Sequence, residues 1–157
     1  MIHSKYTIRE NNEAIILNAI ISQKEISRAE LSVLAGLNKA SVSSITKKLL
    51  EDELIHEDRT GDAARIGGRK PIMLTFNGKA ALTLSLDIAP NYVEGLIAYI
   101  DGKVLYESKI RGIKVSSDNV LAYITEMVER LTQHAAETPH GITGVCIAIH
   151  GLVNQEE

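Results

Sequence analysis

Short polar and basic side chains recur between Asn38 and Lys48 at a spacing that suits contact with a nucleic acid. In a helix they lie opposite the apolar stripe of Val42, Ile45 and Leu49. Hydroxyl groups hydrogen-bond base edges and lysines bind phosphates, so the stretch predicts a helix that enters the major groove of DNA. We expect bases to be read by Asn38, Lys39, Ser41, Ser43 and Ser44, and phosphates to be held by Lys47, Lys48 and Arg28.

A second basic stretch follows in a glycine-rich segment. Gly67 and Gly68 allow a close approach to a nucleic-acid backbone, and Arg69 and Lys70 come directly after them. The segment lies between two predicted strands, residues 54–59 and 72–76. Because arginine and lysine favour the electronegative minor groove, we expect Arg69 and Lys70 to bind there.

Two short helices joined by a tight turn are needed to position these side chains. Ser27 and Glu30 form a capping box, which predicts a helix from Arg28 that buries Leu31 and Leu34 on one face. Gly36 supplies the turn, and Asn38 caps a second helix from Lys39 to about Asp52.

An apolar helix over residues 8–21 precedes this pair and is expected to pack Ile15 and its neighbours against Val42, Ile45 and Leu49, with a loop over residues 22–25. Helix, helix, turn, helix, strand, basic loop and strand is the order of a winged helix-turn-helix. A generic helical hairpin and a solvated loop are the alternatives for the two parts taken alone.

Composition bounds the class of protein. The 157 residues are 45% hydrophobic and carry a net charge of −3, with 11 Lys/Arg and 10 Asp/Glu in residues 1–76. The basic residues cluster, which fits contact with one duplex better than a uniformly basic surface does. Cys146 is the only cysteine, and there is no signal-peptide core or membrane-spanning run. We therefore expect a cytoplasmic protein without disulfides, metal or cofactor.

The pattern changes at Asn77–Lys79, which predicts two domains, residues 1–78 and 79–157. Three strands are predicted at 81–88, 92–100 and 103–110, with a hairpin at Asp101-Gly102. A helix over 119–136, capped by Ser116-Ser117-Asp118, is expected to bury Val120, Ile124, Met127, Val128 and Leu131. The apolar run 142–149 predicts a central parallel strand that is buried on both faces, with Cys146 in the core.

The segments NNEAIILNAI, ISRAELSVLAGLNKASVSSITKKLLEDELIHE and GGRKPIMLTFN resemble the N-terminal domain of the ROK family (repressors, open reading frames, kinases), in particular its xylose-repressor type. The resemblance implies an α+β chain, in which a winged helix-turn-helix precedes the opening βββαβ portion of an actin-like, ribonuclease H-like sugar-kinase fold. It also implies that half of such a fold exposes a sheet face, so we expect self-association or a covering partner.

In ROK sugar kinases an Asp at the end of the first strand precedes Gly-Gly-Thr, whose amides lie against ATP phosphates. Here Asp87 precedes Ile88-Ala89-Pro90-Asn91, which has no glycine, so the resemblance implies a structural Asp87 and no kinase activity. His150 stands where the family has a proline, and we expect it to be a turn residue. Asn154 replaces the family's Asp in the same segment.

The resemblance therefore implies a transcriptional repressor of sugar-utilisation genes that binds a pseudo-palindromic operator as a homodimer. A sugar inducer would act only in a longer chain. A ROK-type sugar kinase with an accessory N-terminal domain and a protein-interaction module are the alternatives. ATP-dependent phosphorylation of sugars distinguishes the first, and salt-dependent binding to random duplex DNA distinguishes the second.

Overall fold

The computed structural model describes residues 8–58 and 71–151, and it divides into two compact units, Met1–Asn77 and Gly78–Glu157. Each unit has its own hydrophobic core. Helices and sheets occur together, so the predicted α+β class is confirmed. None of the helices in the described ranges is long and apolar enough to cross a membrane.

In the described part of the first unit there are three helices: α1 (Ile8–Gln23), α2 (Arg28–Ala35) and α3 (Lys39–Glu51). The starts of α2 and α3 follow the predicted capping. Ser27 forms the capping box with Glu30, and the side chain of Asn38 accepts a hydrogen bond from the Ser41 amide at 2.8 Å. Gly36 takes a left-handed conformation with φ of 63°, which ends α2 and allows α3 to begin three residues after it.

Residues 8–58 and 71–77 of this unit also form three short strands: β1 (Glu25–Ser27), β2 (Ile55–Asp58) and β3 (Met73–Phe76). They form an antiparallel sheet in the order β1-β3-β2. The sequence predicts β2 and β3 but not β1, because three residues are too few for a recognisable alternation. The predicted loop at 22–25 is correspondingly shorter, and Lys24 turns the chain with φ of 64°.

The core of the first unit collects one apolar side of every element: Ile16, Ile20, Ile26, Leu31, Val42, Ile45, Leu49, Ile55 and Leu74. The predicted stripe of α3 is confirmed. Two other predictions are each wrong for one residue. Ile15 is 41% exposed because Ile16 and Ile20 take the inward side of α1, and Leu34 is 56% exposed because α2 buries only Leu31.

The second unit contains β4 (Leu82–Ala89), β5 (Tyr92–Tyr99), β6 (Val104–Arg111), α4 (Val120–Thr132) and β7 (Ile142–Ile149). The sheet order is β6-β5-β4-β7, with antiparallel pairs except for β4 and β7, which are parallel. All four strands agree with the sequence prediction within one or two residues. The turn between β5 and β6 contains Gly102 with φ of 89°.

Helix α4 packs chiefly on β5, where Gly95 leaves room for Met127 and Leu131. Both of these side chains are fully buried, and Val120, Ile124 and Val128 are partly buried beside them. The predicted caps are wrong. No side chain caps α4 in the described residues; the side chain of Asn119 instead accepts from the Ser116 amide at 2.9 Å. The helix also ends four residues before the predicted position.

Strand β7 forms as predicted but is neither central nor buried. Within the described residues it pairs with β4 alone, and every one of its residues is exposed. Since α4 lies over β5, the side chains of Val145, Ile147 and Ile149 have no layer above them. Cys146 is likewise exposed, which corrects its prediction as a core residue.

Candidate nucleic-acid interface

Helix α3 presents a polar surface on the side away from the core. Lys39, Ser43, Ser44 and Lys47 are exposed, and Ser41 and Lys48 are half-buried on one flank. Lys39, Ser43 and Lys47 follow one another at intervals of four residues and Ser44 lies beside Ser43, so they form one continuous strip. We call Lys39, Ser43, Ser44 and Lys47 the α3 strip.

An acidic side chain adjoins the α3 strip. Glu51 lies one turn after Lys47 on the same face, and its Oε1 is 3.7 Å from the lysine Nζ. Both side chains are well exposed, so this pair holds Lys47 only weakly and leaves its ammonium available to a stronger anion. The predicted position of Lys47 at the surface is therefore compatible with a phosphate contact.

Asn38 and the turn before it fix where the strip begins. Oδ1 of Asn38 is committed to the Ser41 amide, so the side chain acts as the N-cap of α3. The hydroxyl of Ser32 donates to the Leu37 carbonyl at 2.6 Å and closes the turn from the other side. Both contacts hold the N-terminus of α3, where unpaired backbone amides and the helix dipole favour an anion.

Arg28 and Lys48, two of the predicted phosphate contacts, are already paired inside the unit. Lys48 Nζ lies 2.6 Å from Oε2 of Glu13 on α1. Arg28 donates from Nε to the Thr46 hydroxyl at 3.1 Å and forms an ion pair with Glu57 on β2. The structure thus brings these two cations to neighbouring elements rather than to the exposed strip.

Sequence reasoning missed Thr46, Glu13 and Glu57. Thr46 interrupts the apolar stripe of α3 four residues after Val42, and that interruption is the available signal. The two glutamates carry no local signal, because their partners lie 35 and 29 residues away. Ion pairs of this kind follow from tertiary packing and not from spacing along one helix.

Strands β2 and β3 lead towards the second predicted contact. They pair antiparallel from Ile55 with Phe76 to Asp58 with Met73, so the chain leaves and re-enters the sheet at neighbouring positions. Arg69, Lys70, Gly67 and Gly68 lie outside the described residues, and their predicted place in a minor groove stays a prediction.

The capping box at the start of α2 carries the clearest electrostatic shift of the unit. The backbone amide of Ser27 donates to the Glu30 carboxylate at 2.8 Å and the hydroxyl at 2.7 Å. These bonds, the backbone one foremost, lower the pKa of Glu30 below its ordinary value of 4.5. Glu30 is therefore held as an anion at the N-terminus of α2, where the helix dipole also favours it.

In the second unit, Asp87 meets Tyr92 and His150 at one end of the sheet. The Tyr92 hydroxyl donates to Oδ2 of Asp87 at 2.9 Å, and this bond raises the pKa of Tyr92 above 10.0. Nε2 of His150 lies 2.8 Å from Oδ1, a buried oxygen that accepts no hydrogen bond within the described residues, and the contact is an ion pair only when the imidazole is protonated. Asp87 thus holds the ends of three chain segments together.

Comparison with known proteins finds relatives among individual sequences and solved structures. No protein-family profile matches the chain. The xylose repressor of Bacillus subtilis (strain 168) is 28% identical over 151 residues, which are 96% of this chain and 38% of that protein. The xylose repressor of Lactiplantibacillus pentosus is 31% identical over 158 residues, 98% of this chain and 39% of that protein.

A solved structure, described as a ROK family transcriptional regulator homologous to the E. coli MLC protein, superposes with a TM-score of 0.71 at 31% identity. It covers 95% of this chain and 37% of the other. The chain therefore spans less than two fifths of the length of each of these relatives. The resemblance to xylose-repressor-like ROK regulators, first stated from the sequence, is confirmed over nearly the whole chain.

Proposed function

We propose, from this similarity to ROK-family transcriptional regulators, that the chain carries the DNA-binding part of a sequence-specific transcriptional regulator. The relatives are named as xylose repressors, so the regulated genes would serve sugar utilisation, and a sugar would release the operator in a protein of the relatives' full length. The protein would act without catalysing a reaction.

The exposure of the α3 strip carries the proposal. A helix in a major groove needs short polar side chains at its centre, so that its backbone approaches the bases, and cations near its edges. Ser43 and Ser44 meet the first need, while Lys39 and Lys47 meet the second. Val42, Ile45 and Leu49 anchor the opposite side in the core.

The first unit would then be a winged helix-turn-helix over residues 1–78. In this proposal α3 is the recognition helix, α2 supports it, and the β2–β3 hairpin carries the wing. Arg69 and Lys70 would reach the adjacent minor groove from that wing. The protein would bind a pseudo-palindromic operator as a homodimer, since two recognition helices can then contact successive major grooves.

The second unit, residues 79–157, would be the βββαβ opening of an actin-like fold. Its order of three antiparallel strands, a helix and a parallel strand supports that proposal. The turn after β4 contains Pro90, which has no N–H to offer a phosphate. The neighbouring Asp87 is engaged by Tyr92 and His150. Both features favour a structural role for this end of the sheet over ATP-dependent sugar phosphorylation.

The proposal is tested by selecting binding sequences from a random duplex pool, with the whole chain and with single variants. Ser43→Ala and Ser44→Ala each remove a hydroxyl from the centre of the α3 strip, so the enriched base sequence should change. Lys47→Ala removes a phosphate contact; it should weaken binding to all duplexes and reduce the salt slope by about one contact. Fluorescence anisotropy over a range of salt concentrations measures the affinity and its salt slope.

Lys103→Ala is the matched control, because it removes an exposed lysine from the second unit and changes the net charge by the same amount. Its salt slope should equal that of the unsubstituted chain. A chain that enriches no sequence and binds duplex DNA without salt dependence would rule out the proposed function.

A further inference from the structure

Thr46 is the one polar side chain that is buried among the described residues. It is fully enclosed in α3, beside the apolar stripe. Its hydroxyl donates to the Val42 carbonyl at 2.9 Å and accepts from Nε of Arg28 at 3.1 Å. The Val42 carbonyl satisfies this buried hydroxyl as a donor, and the guanidinium of Arg28 supplies the donor that its oxygen accepts.

Arg28 carries that contact from α3 to two other elements. It is the first residue of α2, and its second donor nitrogen bonds Glu57 on β2. The guanidinium is planar with donors in a fixed fork, so two simultaneous partners determine its orientation. A lysine has a single charged nitrogen and cannot bond both partners with the same geometry.

Glu57 belongs to the strand that leads into the predicted wing. It pairs with Leu74 across the β2–β3 hairpin, and the chain leaves β2 one residue later. The series Glu57, Arg28, Thr46 therefore joins the hairpin to the middle of α3 by side chains alone. We call these three residues the Arg28 bridge.

We infer that Arg28 is a positioning residue, which sets α3 and the β2–β3 hairpin at the relative angle needed for both to contact one duplex. This inference rests on the proposed DNA-binding function and replaces the phosphate contact predicted for Arg28. Supporting residues of this kind orient a binding surface without touching the ligand. The bridge thus affects which sequence is bound more than how strongly DNA is bound in general.

Two conservative variants break the bridge at different bonds. Arg28→Lys keeps the charge but loses the fork, and Thr46→Val keeps the shape but loses the acceptor. Each should lower affinity about tenfold for the duplex enriched by the unsubstituted chain, and should change affinity for random duplex less than about twofold. The double variant should lose no more than either single variant, because one bridge is broken in each case.

Glu51→Gln is the control variant, because it changes a charge on α3 outside the Arg28 bridge. It breaks the exposed pair with Lys47 and leaves the bridge intact. Because it removes an anion near the α3 strip, it should raise affinity for both duplexes by the same factor, so their ratio should not change. Melting temperatures of all variants establish that affinities are compared between folded proteins.

Two outcomes would overturn the inference. An equal loss of affinity for the enriched and the random duplex with Arg28→Lys would show that Arg28 supports DNA binding in general and not the choice of sequence. Unchanged affinity for both would make the bridge irrelevant to binding.

Hydrogen exchange in the free protein separates failure of the bridge from failure of the proposed function. If the bridge couples the elements, Arg28→Lys and Thr46→Val should speed amide exchange in β2 and α3 together and leave α4 unchanged. Unchanged exchange in β2 would contradict the inference, whatever the DNA results. If the unsubstituted chain enriches no duplex, the proposed function fails even where this coupling is observed.

Discussion

At the scale of single residues, charge type alone did not decide which cations face solvent. Lys39 and Lys47 are exposed on α3, whereas Lys48 pairs with Glu13 and Arg28 pairs with Glu57. The helical period predicts the first two, because it depends only on neighbours along the chain. The ion pairs depend on contacts between elements, so no spacing rule could have found them.

A prediction at this scale concerns Glu30, whose pKa is lowered by Ser27. A lowered pKa in the folded state stabilises the protein above the unfolded pKa, and this contribution is lost as the pH falls through the folded pKa. Glu30→Gln should therefore reduce the free energy of unfolding most above pH 4.5, with the difference shrinking at lower pH. Urea unfolding at a series of pH values measures it.

Ser27→Ala provides the control for Glu30, because it removes the hydroxyl bond while the helix remains. In that background the pH-dependent part of the Glu30→Gln effect should be smaller. The same pH dependence in both backgrounds would show that the Ser27 hydroxyl is not responsible.

At the scale of elements, the sequence predicts every helix and strand of residues 8–58 and 71–151 except β1. Capping residues mark α2 and α3 because those signals act locally through a few hydrogen bonds. The prediction that β7 is buried is wrong for a different reason. A continuous apolar run reports the tendency of a strand to be covered, but the covering layer is a property of the whole sheet. The same distinction explains why Cys146 is exposed.

The packing of α4 on β5 gives a prediction at this scale. A Cβ at Gly95 would lie 2.9 Å from side-chain atoms of both Leu131 and Met127. Because both are buried, Gly95→Ala should lower the free energy of unfolding by about 1–3 kcal/mol through overpacking. Chemical denaturation measures the change.

Gly144→Ala is the matched control, since Gly144 also lies in a strand but a Cβ there would meet no atom within 4 Å. It should leave stability unchanged within about 0.5 kcal/mol. Equal losses in the two variants would contradict the packing of α4 described here.

At the scale of the whole molecule, the two units differ in how their surfaces are covered. In the first unit, helices and a small sheet enclose the core. An apolar residue of α2, Val33, is nevertheless 85% exposed. The second unit leaves the side chains of β7 open in the described part of the chain. An exposed strand with apolar side chains favours pairing with another chain.

We therefore predict that this chain self-associates through β7. Ile147→Lys places a charge at an exposed apolar position of that strand and should lower the average mass at high protein concentration. Sedimentation velocity over a range of concentrations measures the association. Leu121→Lys is the control, because Leu121 is 73% exposed on α4 and should have little effect. A monomer at every concentration would contradict the prediction.

Ser27 is both the last residue of β1 and the N-cap of α2. No connecting residue separates the sheet from the helix, so there is no slack at this joint. A tilt of the sheet would move the N-terminus of α2 with it. The first turn of that helix would then have to rotate or unwind. Any movement of the small sheet therefore displaces α2 directly.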